Sequence, residues 1–407
     1  MLECKVIGIG AAGNKAAIQL IEDGILDKHH VMLLNSTMKD IPEEYRSELS
    51  IEFGDVRGAG KERDLAKQMM IDSLQKGTIP IEKFITGDEK FITIVCSTEG
   101  GTGSGSSVVL AEYIQSIFND EEEGRFMPVH LFAFTGFEDD IRGLKNTVDW
   151  FNDLNEDMTV ETISNKKCLK FTNNRRHAAE DYANKLFSKR IATSIGKYIT
   201  PSDDNIDDMD LYKLNATHGY MTVESAIIEK IKDSEQFNNV IKKMIENSVS
   251  LESTAASIRI GVIVSADEAT LDLIDDSFSV IKETYGTPLE LFIHKQESID
   301  VDDSVNLIVS GMKLPINEIS AVYKRYKDQR AKLDTMGKDK FFGNTNKFDT
   351  SLNKGSNIGG IARANIHYGA AKKSESSKNS KNKFFEKYGA STNNDKKGKN
   401  PIVKDEL

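Results

Sequence analysis

Three stretches of this 407-residue chain carry residue types and spacings fit for chemistry. The first is STEGGTGSGSS at 97–107, set between the apolar run FITIVCS and the helix-like VVLAEYIQSIF. Its glycines at 100, 101, 103 and 105 permit tight turns and close backbone approach. Amides from Gly100 through Gly105, followed by a helix amino terminus, would form an anion-binding nest. Thr102, Ser104 and Ser106 add hydroxyl donors, but the loop has no lysine, so a phosphate there needs amides, a metal ion or a distant cation. The second stretch is GIGAAG at 8–13, also between a strand and a helix. The third is the acid run DDNIDDMD at 203–210, whose carboxylates could polarise a water or hold a hard cation, or form a plain solvated loop.

Two rival readings of the glycines fail on their neighbours. GIGAAG satisfies G-x-G-x-x-G, but a dinucleotide site also needs an acid about 20 residues on. The second strand ends in Asn35 and Ser36 instead. GAGKE at 58–62 imitates a P-loop, yet Asp55 stands at the first glycine position and Glu62 at that of the Mg²⁺-binding Ser/Thr. A close-packed strand–helix turn without a ligand is the plain alternative. Three scattered cysteines and seven histidines give neither a disulfide framework nor a zinc pattern.

These stretches need elements to position them. Strands are expected at 3–10, 30–36, 91–97 and 128–136, with a short one near 167–173. Helices are expected at 14–25, 61–76, 106–118, 142–158 and 176–195. Alternation of this kind implies a mostly parallel sheet covered on both faces, an α/β fold. Ligands then sit beyond the carboxyl ends of the strands, where both glycine turns would line one crevice as partners. A second α/β unit follows, with helices near 223–248 and 267–285 and strands at 258–266, 288–295 and 304–312. An amphipathic helix from Pro315 to about 336 comes next.

Composition, 39% hydrophobic and 29% charged, is that of a soluble globular protein. No apolar run approaches the ~20 residues of a membrane span, and MLECKVIGIG enters a strand with no signal peptide before it. The terminal KDEL is then a chance match, and a cytoplasmic chain with no membrane partner is expected. Net charge is −11, but residues 371–407 hold ten lysines against five acids, leaving a body near −16. From 338 onward the Gly, Asn, Ser and Lys content predicts a disordered basic tail.

GGTGSG between a buried strand and a helix resembles the signature of the tubulin/FtsZ superfamily, and other motifs follow in that family's order over roughly 5–312. GIGAAGN resembles its first nucleotide loop, NST (35–37) its second and GAG (58–60) its third. FEDDIR (137–142) resembles the sugar loop, YANKL (182–186) the start of the central helix, and NIDDMD (205–210) the loop that enters the next subunit's pocket. The resemblance implies that Gly10, Ala11, Ala12, Gly100, Gly101, Thr102, Gly103 and Ser104 hold phosphates of GTP or GDP. Asn35 belongs to the second loop, and Gly58, Ala59 and Gly60 approach the γ-phosphate. Asn14 and Asn184 contact guanine, and Glu138 and Arg142 the ribose. Asp207 and Asp210, with Asn205, orient the attacking water or the Mg²⁺ of a neighbour's GTP.

The family layout gives a GTP-binding domain at 1–175, a central helix at 176–196, an acid loop at 197–214, a second domain at 215–314, a helix at 315–337 and the tail at 338–407. Departures are Glu99, where relatives carry a glycine, Ser202 for another glycine, and the GAGKER ending of the third loop. The long helix followed by a lysine-rich tail looks like TubZ, whose filaments segregate plasmid or phage DNA in a bacterial host. There the tail engages a DNA-bound adaptor, TubR; direct contact with DNA phosphates is the other role open to it. A PhuZ-like DNA-positioning protein, an FtsZ-like division protein and a non-hydrolysing nucleotide-binding scaffold are the alternatives.

Overall fold

The computed structural model describes residues 1–54, 58–120, 122, 124–202, 205–253, 256–274, 278–298, 302–337 and 376–389. A ten-stranded sheet is built outward from β1 (Cys4–Ile9), all six of whose residues are buried. Side chains alternate across a strand, so Ile7 and Ile9 meet one helix layer and Cys4 and Val6 the other. β2 (Val31–Asn35) and β3 (Ser50–Glu52) extend the sheet in parallel on one side. β4 (Phe91–Ser97), β5 (Val129–Thr135) and β6 (Thr159–Ser164) do so on the other.

One helix layer holds α1 (Gly10–Glu22). The opposite layer holds α2 (Arg63–Lys76), α3 (Ile81–Phe84), α4 (Thr102–Phe118) and α5 (Ile141–Asn152). After the short α6 (Asn165–Cys168), α7 (Arg176–Ser194) returns to the first layer. It seats Ala179, Ala183, Phe187 and Ile191 against the sheet, one stripe at helical spacing. α8 (Asp208–Ala216) follows in the same layer.

The sheet does not stop between the two expected units. β7 (Gly219–Ile227) pairs in parallel with β6 over three residue positions. Beyond it, β10 (Ser304–Met312) runs antiparallel to both β7 and β8 (Arg259–Ala266), and β9 (Glu290–Glu297) closes the edge beside β8. α9 (Ser234–Glu246), α10 (Glu268–Leu271) and α11 (Ser279–Tyr285) belong to this half. α12 (Ile316–Gly337) comes back to the first half and packs Val322 on Leu144 and Val148 of α5.

A buried charge cluster spans the join. Arg190 of α7 donates to Glu161 of β6 at 2.9 Å and to Glu224 of β7 at 3.2 Å. Ser248 and Ser250, which follow α9, also donate to Glu224.

Four sequence expectations need correction. The segment 167–173 is not a strand: it forms α6 and a 3-10 turn, and Ser164 caps α6 by accepting from the Lys167 N–H at 3.2 Å. The strand is instead Thr159–Ser164, which fills the ladder between β5 and β7, and the expected helix 142–158 ends at Asn152. The expected helix 223–248 divides into β7 and α9, because the β-branched Thr222 and Val223 fit a pleated surface. The acid stretch is not wholly a loop, since α8 begins within it.

The tail also departs from expectation. Ser376–Lys387 is a helix, α13, that packs on α4. Its Phe384 and Phe385 supply the apolar contact that the surrounding composition lacks. The rest of the expected disordered tail, 338–375 and 390–407, lies outside the described residues.

Candidate functional site

Both glycine turns meet at the carboxyl ends of β1 and β4. Gly10 follows β1 and opens α1 with φ +74°, and a Cβ on it would lie 3.2 Å from Gly103 N. A Cβ on Gly103 would in turn lie 2.9 Å from Ile9 O and 3.1 Å from Cys96 Cβ. The two loops therefore touch backbone to backbone, which only glycines allow. The turn after β2 joins them, with Ser36 Oγ 2.8 Å from Thr102 Oγ1. Ser104 Oγ turns back to Gly100 O, and the space beside Gly100 is open.

The electrostatics follow from the geometry. α1 and α4 both start here, and neither carries an acid in its first turn. Two positive helix ends and a row of amides favour an anion. Ala11 is exposed and Ala12 half-buried at the start of α1.

Residues 58–62 form a strap over this loop. A Cβ on Gly101 would come within 2.8 Å of Lys61 Cα, and Lys61 itself has φ +62°. Gly58 lies beside Ser36 Oγ, Ala59 is buried, and Gly60 is exposed. Lys61 pairs with Asp140 at 2.7 Å, and Glu62 pairs with Arg142. Arg142, expected at a ribose, is therefore held on the strap.

Asn146 on α5 escaped the sequence reading. Its amide donates to Lys61 O at 3.1 Å and to Glu99 O and Gly100 O at 3.2 Å each, tying strap to loop. It sits inside an amphipathic helix, where no local signal marks it.

The Glu99 carboxylate turns away from the loop and accepts the Glu138 N–H at 2.7 Å. A Cβ on Gly136 would collide with that carboxylate, so the glycine makes its room. Burial pushes the Glu99 carboxyl above the usual range. Glu138, at φ +63°, is tied to Lys166 at 3.0 Å and to Arg325 of α12.

The expected base and second-loop contacts separate. Asn184 is half-buried on α7 and keeps surface. Asn14 is fully buried, with Nδ2 donating to Leu34 O at 3.2 Å and Oδ1 unpartnered. Asn14 thus braces the start of α1 against β2. Asn35 is buried as well, accepting from Ser36 N and donating to Asp40.

Asp207 and Asp210 lie near the other end of β1. Asp207 is the N-cap of α8: it accepts the Asp210 N–H at 2.8 Å, and Asp210 accepts the Asp207 N–H at 3.3 Å. This reciprocal box uses one oxygen of each carboxylate. Partial burial, with the Asp207 charge adding to it, pushes the Asp210 carboxyl above its ordinary value. Asn205 beside them is exposed.

Their place is fixed by the amino terminus. The Met1 ammonium lies 3.4 Å from Asp208, and Leu2 N donates to Ile195 O at 2.8 Å. The acids thus sit where β1 starts, and the glycine crevice where it ends. Six residues of strand separate them, about 20 Å.

No protein-family model matches the sequence. Solved structures do match its shape. A GTPγS-form protofilament of Bacillus thuringiensis serovar israelensis TubZ is 16% identical with a TM-score of 0.66, over 82% of this chain and 94% of that one. A GTPγS-bound protofilament of CetZ2 from Haloferax volcanii is 14% identical at 0.65, over 81% and 100%. An empty FtsZ dimer from M. jannaschii is 17% identical at 0.58, over 76% and 88%. With its glycine crevice at the strand ends, its central helix α7 and its sheet running on into a second half, the chain has the tubulin/FtsZ-like fold.

Proposed function

We propose that the chain is a GTP-binding, filament-forming GTPase whose hydrolytic site is completed between two copies. One observation carries this: the glycine crevice and the capped acids lie at opposite ends of β1, so one chain cannot bring Asp207 and Asp210 to its own phosphate loop. Head-to-tail contact of two copies would bring them together. The likeness to protofilaments of TubZ and CetZ2 supports the same reading.

The residues fit the ligand. Amides of Gly100, Gly101, Thr102 and Gly103, with Gly10, Ala11 and Ala12, would hold the phosphates, and Asn184 the base. Phosphoryl transfer asks mainly for positioning and charge neutralisation. Mg²⁺, held by the phosphates and reached by the neighbour's Asp207 and Asp210, would supply the missing positive charge. The basic tail supports a role in moving plasmid or phage DNA, through a TubR-like adaptor or DNA phosphates.

The test is GTP hydrolysis as a function of protein concentration, with sedimentation in GTP, GDP and GTPγS. Specific activity should rise above a threshold concentration and track pelleted protein. Activity independent of concentration would sink the shared site. A tail role is tested by electrophoretic retardation of DNA with and without purified adaptor, across a salt series.

A further inference from the structure

α13 lies on α4 and, through Tyr388 just past its end, reaches α2 across the groove between the two; both α2 and α4 begin at the crevice. α2 opens with Arg63, directly after the strap, and α4 opens with Thr102 inside the glycine loop. The two are closely joined: a Cβ on Gly105 would collide with Arg63 O, and Ser106 Oγ donates to Ala66 O at 3.1 Å. A shift of strap against loop therefore moves one wall of the groove against the other.

α13 touches α4, and the residue after it touches α2. Phe384 and Phe385, each 5% exposed, lie 5.3 and 6.0 Å from the Tyr113 ring of α4. Lys381 pairs with Glu82 of α3, beside the groove, at 2.5 Å. Lys387 and the Tyr388 hydroxyl both reach Glu112 at 2.7 Å. On α2, Lys67 holds Asp153 at 3.1 Å and lies 5.6 Å from the Tyr388 ring centre. Asp153 also binds Arg63, the residue next to the strap, at 2.6 Å.

We propose that α13 is a tethered ligand of the α2–α4 groove, bound or released according to what occupies the crevice. The proposal rests on the crevice binding a nucleotide. Phosphates that order the loop and the strap set the relative position of the two helix starts, and with it the fit of the Phe384–Phe385 pair. Linkage makes the effect mutual: a tail that binds one nucleotide state better must raise the affinity for that nucleotide. While docked, Phe384, Phe385, Lys381 and Lys387 are engaged with this chain. Released, they form a basic amphipathic segment suited to an acidic protein groove.

Hydrogen exchange of the full chain tests this, read at residues 376–389 without nucleotide, with GDP and with GTPγS. The expected result is protection differing by about fivefold or more between nucleotide states. The Phe384→Ala/Phe385→Ala double variant should lose that protection in every state and shift nucleotide affinity by a similar factor. Glu112→Gln, a milder change on the wall, should move both readouts the same way by less. Bound nucleotide with equal protection in all states, and unchanged affinity in the variants, would overturn the latch and leave the crevice reading standing. A parent chain that binds neither nucleotide would overturn the crevice reading and the latch together.

Discussion

The two ends of β1 solve opposite problems. At its carboxyl end the chain gives up side chains: Gly10, Gly101 and Gly103 let three backbone segments touch, and the attraction for an anion comes from amides and helix ends. At its amino end the chain gathers charge: Asp207, Asp208 and Asp210 open α8, where the helix dipole and a reciprocal cap stabilise them. One end has shape without countercharge, the other charge without a pocket. The same division makes their failures different in kind.

Gly13→Val should give the largest effect, because its Cβ would fall onto Val95 O between α1 and β4. A loss of about 3 kcal/mol or more is expected in urea unfolding, with nucleotide binding lost alongside. An unchanged midpoint would show that the glycine end is not built on contact.

Asp207→Asn should do the reverse, sparing the fold and striking function. Asn caps about as well as Asp, so the urea midpoint should shift by less than about 0.5 kcal/mol. If the shared site is as proposed, hydrolysis in assembled protein should fall at least about tenfold while GTP affinity holds, since the lost charge would act only in the transition state. Equal losses of binding and hydrolysis would place the acid within its own chain's pocket and break the contrast.

Glu161→Gln probes the join between the halves. Burial lifts Glu161 to about 7 against the pull of Arg190, with Glu224 adding to the rise. The folded state thus keeps a proton that the unfolded chain has lost. This group's stabilisation is fully present below the unfolded value of 4.5 and is lost as pH rises through about 7. The variant should flatten that part of the stability–pH curve, measured by urea midpoints from about pH 4.5 to about pH 8.

Gly136→Ala should be the mildest. Its Cβ would displace the Glu99 carboxylate, and a like charge moved toward bound phosphate should weaken GTP affinity about threefold at low salt. In the double variant with Glu99→Gln the loss should vanish.

The glycine end was legible in the sequence because strand, glycine turn and helix form a local pattern. Even Glu99 was visible there as an oddity, although its partner Gly136 was not, since that contact is not local. The acid end was half legible. Asp207 and Asp210 are spaced as a capping pair, yet the charge run masked the helix they start. β7 was missed for a different reason: YMTVESAI becomes a strand because β6 and β10 offer ladders on both sides. α13 was hidden by its lysines and asparagines, which say nothing of the groove that receives Phe384 and Phe385.

The three-position pairing of β6 with β7 has a mechanical consequence. Neighbouring ladders on each side run longer, five to eight positions from β1–β4 through β8–β9, so resistance to bending is unevenly distributed along the sheet. A torque on the two halves would collect at this narrow waist, where Arg190 and its two carboxylates act as a spring across it. Elastic strain from a neighbouring copy would be felt there first, far from either end of β1.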